Sequence, residues 1–363
     1  MDKLNFAVLE GDGIGPEVTD ATRKVLEAVL VELGVPYTID STLIGFPALE
    51  KQGTTFPPEA LDLASGGDGI ILGPVSHLDY PPVAEGGVNP SGALRRNLDL
   101  FANVRPAKTF DGVRYLSQGP FDLVIVRENT EGFYADRTMY QGTGEVMPTR
   151  DLAMAFRKVT REGSLRIARN AFELARQRRS HVTAVHKFNV LRTSDGLFLE
   201  CVRQVREEFP DVEYREELVD AMAALLIRDA SQFDVVVTTN MFGDILSDEA
   251  TELSGSIGLA ASLNSGKDHA MAQAQHGSAP SLAGLDKANP SSLIGSVAML
   301  CEWLGIRKNL PELHAASDSI HHAIAEAVAD PATRTGDLGG PLGTQAFTDV
   351  VTEKALAFLR SSK

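Results

Sequence analysis

The sequence predicts an α/β protein built on a large, mostly parallel sheet. Two observations carry that reading. Short continuous apolar runs, NFAVLE, GIILGPV, DLVIVREN, HVTAVHK and DVVVTTN, have the length and pattern of buried strands. Between several of them lie PEVTDATRKVLEAVLVELG, GSLRIARNAFELARQ and DGLFLECVRQVREEF, where apolar residues recur at three and four, as on one face of a helix. Alternation of the two patterns is what parallel strands joined by crossover helices require.

The totals are consistent with that class. A chain of 363 residues, 43% hydrophobic and 23% charged, can bury a large core and has room for about two domains. No apolar run approaches the ~18 residues of a membrane span. The opening stretch MDKLNFAVLEGDGIG leads straight into a strand-like run with no long apolar leader, so no signal peptide is expected. The two cysteines, Cys201 and Cys301, lie in helix-like apolar stretches and read as buried free thiols of a cytoplasmic protein. Net charge is 34 − 49 = −15, which disfavours nucleic-acid binding. If the ligand is an anion, this acidic chain must gather its positive charge locally.

Five segments could carry chemistry. GDGIGPEV, Gly11 to Val18, follows the first strand, and Pro16 suits the first turn of a helix. Its glycines alternate, whereas the dinucleotide fingerprint needs the third glycine one residue later. By spacing alone it is also a plain strand-to-helix turn. In NPSGALRRNLDLFANVRP, Arg95 and Arg96 sit in a helical segment and Arg105 follows. Arg127 ends the strand DLVIVREN, and ligand sites in α/β sheets gather at the carboxyl ends of strands. Arginine forks suit bidentate carboxylate binding, although solvated arginines would look the same. VHKFNVL places Lys187 at another strand end, beside His186 and Asn189, where neighbouring charge could fit it for proton transfer. VVTTNMFGDILSDEA reads as a strand, a glycine turn and a helix start. Its Asp244 and Asp248 share one helix face, where like charges cost about 0.2–0.5 kcal/mol. With Asp220 upstream, these carboxylates suit a hard divalent cation, and no His/Cys cluster suggests zinc. An acid pair at that spacing is also an ordinary solvated face. Finally, HGSAPSLAGLDKANP, His276 to Pro290, has the small residues and prolines of a loop that approaches a ligand closely.

Taken in order, these motifs resemble the β-decarboxylating dehydrogenases: isocitrate, homoisocitrate and 3-isopropylmalate dehydrogenases. GDGIGPEV, LRRNLDLFANVRP, RENTEGFY, HKFNVL, TTNMFGDILSDEA, HGSAPSLAGLDKANP and DLGG extend the resemblance over nearly the whole chain. It implies a two-domain fold with a large mixed, mostly parallel sheet, unlike a Rossmann domain. Residues 1–102 and 256–363 would form a cofactor-binding domain, and residues 103–255 a central domain with the dimer interface. Magnesium or manganese would be held by Asp244 and Asp248 of one subunit and Asp220 of the other. Ser91, Arg95, Arg105 and Arg127 would meet a hydroxy-di- or tricarboxylate. Lys187, from the second subunit, would take the hydroxyl proton as hydride leaves. The cation would polarise the resulting β-keto acid for loss of carbon dioxide, and Tyr134 would protonate the enol carbon. The nicotinamide cofactor would lie along Ile14, Asn189, His276, Gly277, Ser278, Ala279, Ser281 and Asn289.

Within the family, Ser91 stands where isopropylmalate enzymes usually have a leucine, and HKFNVL where they tend to read DKANVL. Both features lean to isocitrate or homoisocitrate. Asn89 and Phe188 depart from the isocitrate pattern, so 3-isopropylmalate and a tartrate- or malate-oxidising activity stay open. A non-catalytic regulatory subunit would be expected to lose motif residues that this chain keeps. Ser281 replaces the aspartate usual in NAD-using members. Lys287 is the one nearby cation that could meet a 2′-phosphate, so NAD is expected over NADP.

Overall fold

A computed structural model describes residues 3–134, 142 and 144–361. The first third of the chain runs β1 (Leu4–Leu9), α1 (Gly15–Leu33), β2 (Tyr37–Thr42), α2 (Gly45–Gln52), α3 (Pro58–Gly66), β3 (Gly69–Leu72) and α4 (Pro90–Asn97). The middle comprises β4 (Ala102–Lys108), β5 (Asp122–Glu128), β6 (Glu145–Thr149), β7 (Leu152–Ala155), α5 (Arg161–Arg176), β8 (His181–His186), α6 (Ser194–Arg206), β9 (Glu213–Leu218), α7 (Val219–Asp229), β10 (Val235–Thr238) and α8 (Asn240–Ser254). The remainder is β11 (Leu263–Ser265), β12 (Ala270–Gln273), α9 (Ser291–Lys308), α10 (Pro311–Ala329) and α11 (Thr344–Ser361).

Ten strands form one sheet in the order β2-β1-β3-β12-β11-β4-β5-β10-β8-β9. The outer pairings are parallel, as the strand–helix alternation predicts. The three central pairings, β12–β11, β11–β4 and β4–β5, are antiparallel. The sheet is therefore mixed and mostly parallel, and its order is not the 3-2-1-4-5-6 of a Rossmann domain.

Both faces of the inner strands of each flank are buried, which explains the uninterrupted apolar runs. In β1 and β3, Phe6, Val8 and Ile71 face a core built with α1, α9, α10 and α11. Ala7, Leu9, Ile70 and Leu72 face a second core with α3. The other flank repeats the alternation. Val124, Val126, Val235 and Val237 pack on α5 and α6, while Leu123, Ile125 and Val236 pack on α7 and α8. The core containing β1 draws on residues from Leu4 to Leu359. Cys201 and Cys301 are free and buried, as expected. Among the described residues no helix is long and apolar enough to cross a membrane.

Helix α1 buries Val18, Ala21, Thr22, Val25, Leu26, Val29 and Leu30, and Gly34 ends it in a left-handed cap. The turn before it depends on glycine. Gly13 has φ +58°, and a Cβ there would lie 2.1 Å from the Ser278 carbonyl oxygen. Ile14 N–H donates to that same oxygen at 2.8 Å. The first strand–helix turn is thus laced to the loop that begins at His276.

Phe172 of α5 is fully buried and its ring lies 5.4 Å from that of Phe209. Phe172→Ala should lower stability by about 3–5 kcal/mol, read as a fall in the urea midpoint at unchanged slope. A loss below 1 kcal/mol would mean that this core collapses readily around the gap.

Candidate active site

The site forms where strands end. Arg127 lies near the carboxyl end of β5, α8 leaves β10, and Gln273 closes β12. The register of β4 against β5 pairs Asn103 with Arg127 and Arg105 with Ile125. Arg105 and Arg127 are therefore diagonal neighbours on one face of the sheet. Two buried guanidinium groups so placed repel each other, and Asp244 resolves the conflict.

Arg127 pairs directly with Asp244 Oδ1, and its Nε and Nη2 donate to Asn240 Oδ1 at 3.0 and 2.6 Å. Arg105 Nη1 lies 3.3 Å from the same Asp244 oxygen and 3.4 Å from Asp248 Oδ1. Its Nε donates to Asn103 Oδ1 at 2.6 Å and its Nη1 to Ser247 Oγ at 2.8 Å. Burial, and then the charge of Arg127, bring the Arg105 pKa down to about 10, so the group stays charged at neutral pH. Burial pushes Asp244 upward, but Arg127, Arg105 and a hydrogen bond from Tyr134 outweigh it and hold the carboxyl below its ordinary value. Asp248 goes the other way: burial raises it, and Arg105 only partly offsets the rise. The two aspartates do share a face of α8, yet arginine bridges, rather than a cation alone, already relieve their repulsion.

One expectation is corrected. The glycine of NMFGD makes no turn, because α8 starts at Asn240 and Gly243 lies inside it. A Cβ on Gly243 would lie 2.7 Å from both Cβ and Cγ of Arg127. The glycine lets the helix settle onto the arginine.

Tyr134 Oη donates to Asp244 Oδ2 at 2.9 Å, and the Arg127 guanidinium stands 5.5 Å from its ring centre. The loop that brings it there is held by two carboxylates. Glu128 accepts from Thr130 N, Thr130 Oγ1 and Glu131 N at 2.7–2.9 Å. Glu131 accepts from Thr160 N at 2.9 Å and Thr160 Oγ1 at 2.5 Å.

A cavity of about 280 Å³ gathers Ser91, Arg95, Arg105, Arg127, Tyr134, Asp244, His276 and Gly277. All four expected substrate residues, Ser91, Arg95, Arg105 and Arg127, therefore meet in one place. A larger cavity, about 660 Å³, opens between β4 and α9–α10 and is lined by groups such as Met299 and Trp303, without those arginines or Asp244. The converging charged groups single out the smaller one.

Lys187, Asp220 and Asn189 are not in it. Lys187 Nζ pairs with Asp220, and that bond lowers the Asp220 pKa. Asn189 is exposed in the turn beyond Lys187. Among the described residues no three His, Cys, Asp or Glu side chains of this single chain converge to hold a metal.

The donor chemistry at α8 still fits a hard cation, with Asp244 and Asp248 offering only oxygen. A cofactor fits too. His276 Nδ1 lies 3.0 Å from Gly277 O, while its Nε2 is buried without a hydrogen-bond partner among the described residues, at the rim of the cavity. Burial lowers the His276 pKa and keeps the ring neutral. Ser278 is buried, its Oγ 2.7 Å from Ser76 Oγ. Ala279 adopts a left-handed φ of 36°, Ser281 is exposed, and Asn289 Nδ2 donates to Asp337 Oδ2 at 3.0 Å.

The sequence reading missed several lining residues: His77, Ser262, Gln273 and Gln275. The available signal was AMAQAQ, where alternating glutamines at a strand end precede HGSAP.

A sequence profile of the isocitrate/isopropylmalate dehydrogenase family matches residues 5–354. The chain belongs to this family. Its members are oxidatively decarboxylating dehydrogenases acting on small hydroxy acids. A 3-isopropylmalate dehydrogenase of Archaeoglobus fulgidus is 39% identical over 347 residues, covering 95% of this chain and 98% of that one. A homoisocitrate dehydrogenase of Methanocaldococcus jannaschii is 38% identical, with 96% of each chain covered. In structure, an isocitrate dehydrogenase of Methylococcus capsulatus superposes with a TM-score of 0.85 at 39% identity, covering 97% of this chain and 99% of that one.

Gly243→Ala should push Arg127 out of place. The expected result is a destabilisation of about 1–3 kcal/mol and a raised KM for the carboxylate substrate. Unchanged KM and thermal midpoint would mean that β5 and α8 part at little cost.

Proposed function

We propose that this protein catalyses oxidative decarboxylation of a 2-hydroxy acid carrying a 3-carboxylate, with isocitrate or homoisocitrate as substrate and NAD as hydride acceptor. The convergence of Arg95, Arg105, Arg127, Tyr134 and Asp244 in one cavity carries the reading. Three guanidinium groups can hold the carboxylates of the substrate. Ser91 at the same wall supports a polar variable group, since a hydroxyl can bond a carboxylate where a leucine would bury an alkyl group. A second reading, 3-isopropylmalate oxidation, has the names of several relatives in its favour.

In this scheme Tyr134 is the acid that protonates the enol carbon, and its hydroxyl already lies within the charged cluster. Lys187 is the base for the hydroxyl proton, and it would enter from the second subunit of a homodimer together with Asp220. Magnesium or manganese, held by Asp244, Asp248 and that Asp220, would supply Lewis-acid stabilisation of negative charge. The cofactor would lie along Ile14, Asn189 and the segment from His276 to Asn289. The division into residues 1–102 with 256–363 and residues 103–255 is part of the proposal, supported by the separate cores on the two flanks of the sheet. Exposed Val146, Met147 and Met154 on the β6–β7 ribbon, and Ile227 and Ile245 on α7 and α8, support a dimer. Buried free thiols support a cytoplasmic setting.

Discrimination against NADP has no aspartate at Ser281 to rely on. A 2′-phosphate left without several donors would pay a desolvation cost. Lys287 is the opposing cation. NAD should therefore win by a modest margin, and Ser281→Asp should widen it.

A panel of isocitrate, homoisocitrate, 3-isopropylmalate, malate and tartrate, with each cofactor and each metal, tests the reading. One tricarboxylate should give the highest kcat/KM, NAD should exceed NADP, and exhaustive chelation should abolish turnover. A higher kcat/KM for 3-isopropylmalate than for both tricarboxylates would select the second reading. Full activity after chelation would remove the metal from the scheme.

Shared sites predict complementation. Lys187→Ala and Asp244→Asn should each be nearly inactive. Mixed and reassociated, they should recover about a quarter of wild-type activity, because half of the dimers then carry one intact site of two. No recovery from variants shown to exchange subunits would place all of these residues within one chain's site.

A further inference from the structure

Gln273 closes β12 and lines the cavity beside Ser91 and Arg95. Its backbone is fixed on both sides: N–H donates to Ser262 O at 3.1 Å, and the carbonyl accepts from Ser296 Oγ at 3.2 Å. The side-chain oxygen accepts three hydrogen bonds, from Ser91 Oγ at 3.0 Å, Arg95 Nη2 at 3.2 Å and Asn264 Nδ2 at 3.3 Å. An arginine can only donate, so the amide atom facing it must be oxygen, and that fixes which end of the amide is which. The amide NH₂ makes no hydrogen bond among the described residues and is not buried.

Gln273 also belongs to a run of neutral amides. Asn129 Nδ2 donates to Asn264 Oδ1 at 3.0 Å, and Asn264 donates onward to Gln273. Asn129 directly follows β5, which carries Arg127. A chain of amides, buried at Asn129 and Asn264, thus ties the strand of Arg127 to the helix of Arg95. It sets their separation without adding charge.

We propose that Gln273 is a specificity-determining residue: its amide oxygen positions Arg95 and Ser91, and its amide NH₂ donates to an oxygen on the variable substituent of the substrate. The proposal rests on the reading of the cavity as the hydroxy-acid site. A carboxylate at this position would sit beside Arg95, compete with the substrate for it, and repel a substrate carboxylate. An alkyl group would leave Ser91 and Arg95 without their acceptor and offer no donor. Sites built to hydrogen-bond a substrate group discriminate strongly against analogues that lack it.

The test compares wild type, Gln273→Glu and Gln273→Leu on the better tricarboxylate and on 3-isopropylmalate, which shares the core but has an alkyl substituent. Both variants should lower the tricarboxylate-to-isopropylmalate ratio of kcat/KM by roughly tenfold or more, chiefly through the KM of the tricarboxylate. In Gln273→Glu the KM penalty should shrink as pH falls through the titration of the new carboxyl, because the protonated acid is again neutral and a donor. Gln273→Leu should keep the wild-type pH profile. Gln273→Glu is nearly isosteric and keeps the comparison informative if Gln273→Leu folds poorly. An unchanged ratio, in variants of a wild type that oxidises both acids, would overturn the role of Gln273 alone. A wild type that oxidises none of the hydroxy acids would overturn the underlying reading.

Discussion

Asp244 set between Arg105 and Arg127 is the contact on which the site's arrangement depends. Strand register alone brings the two guanidinium groups together. Without an anion, that corner of the sheet would hold two buried like charges. Helix α8 supplies the anion, and it can do so only because Gly243 leaves space for the stem of Arg127. Removing Asp244 would leave two buried guanidinium groups without their shared anion. The same contact aims Tyr134, whose hydroxyl bonds the second oxygen of Asp244.

The cluster also answers the problem posed by a net charge of −15. The chain gathers arginines in one cavity at the middle of the sheet and holds much of their charge with neutral groups. Asn103 and Ser247 steady Arg105, Asn240 takes two donors of Arg127, and Gln273 takes one of Arg95. Amides and hydroxyls orient a guanidinium without cancelling its charge. Arg105 and Arg127 in turn share the carboxylate of Asp244.

The inner strands of the flanks were legible because both their faces are buried, and helices such as α1 and α5 carry clear apolar stripes; the edge strands β2 and β9, which bury no residue, carry no such pattern. The centre of the sheet was not legible either. β11 is three residues, LNS, two of them polar and all buried, so no hydrophobic pattern marks it. The side chains proposed to bind and react could be read from their motifs, but their supports could not. Asn103, Asn240 and Ser247 are ordinary residues in sequence, and their roles exist only once β4, β5 and α8 are packed. Gly243 was misread for the same reason: glycine in a short apolar segment suggests a turn, and only the neighbouring Arg127 shows that it serves close packing. Gln273 closes an alanine-rich strand and Gln275 lies just beyond it, and only the sheet order shows that this strand ends at the cavity.

The core that contains β1 has a consequence for how the chain folds as it is made. Leu26, Val29 and Leu30 of α1 are buried against residues that lie more than two hundred positions later, and α1 is further tied to α11 by the Lys24–Asp349 and Arg360–Glu32 pairs. The opposite flank draws its cores from a continuous stretch in the middle of the chain. On a ribosome, domains form in the order in which their parts emerge. Here the half that begins first is completed last, and the apolar face of α1 waits uncovered until nearly the whole chain has been synthesised.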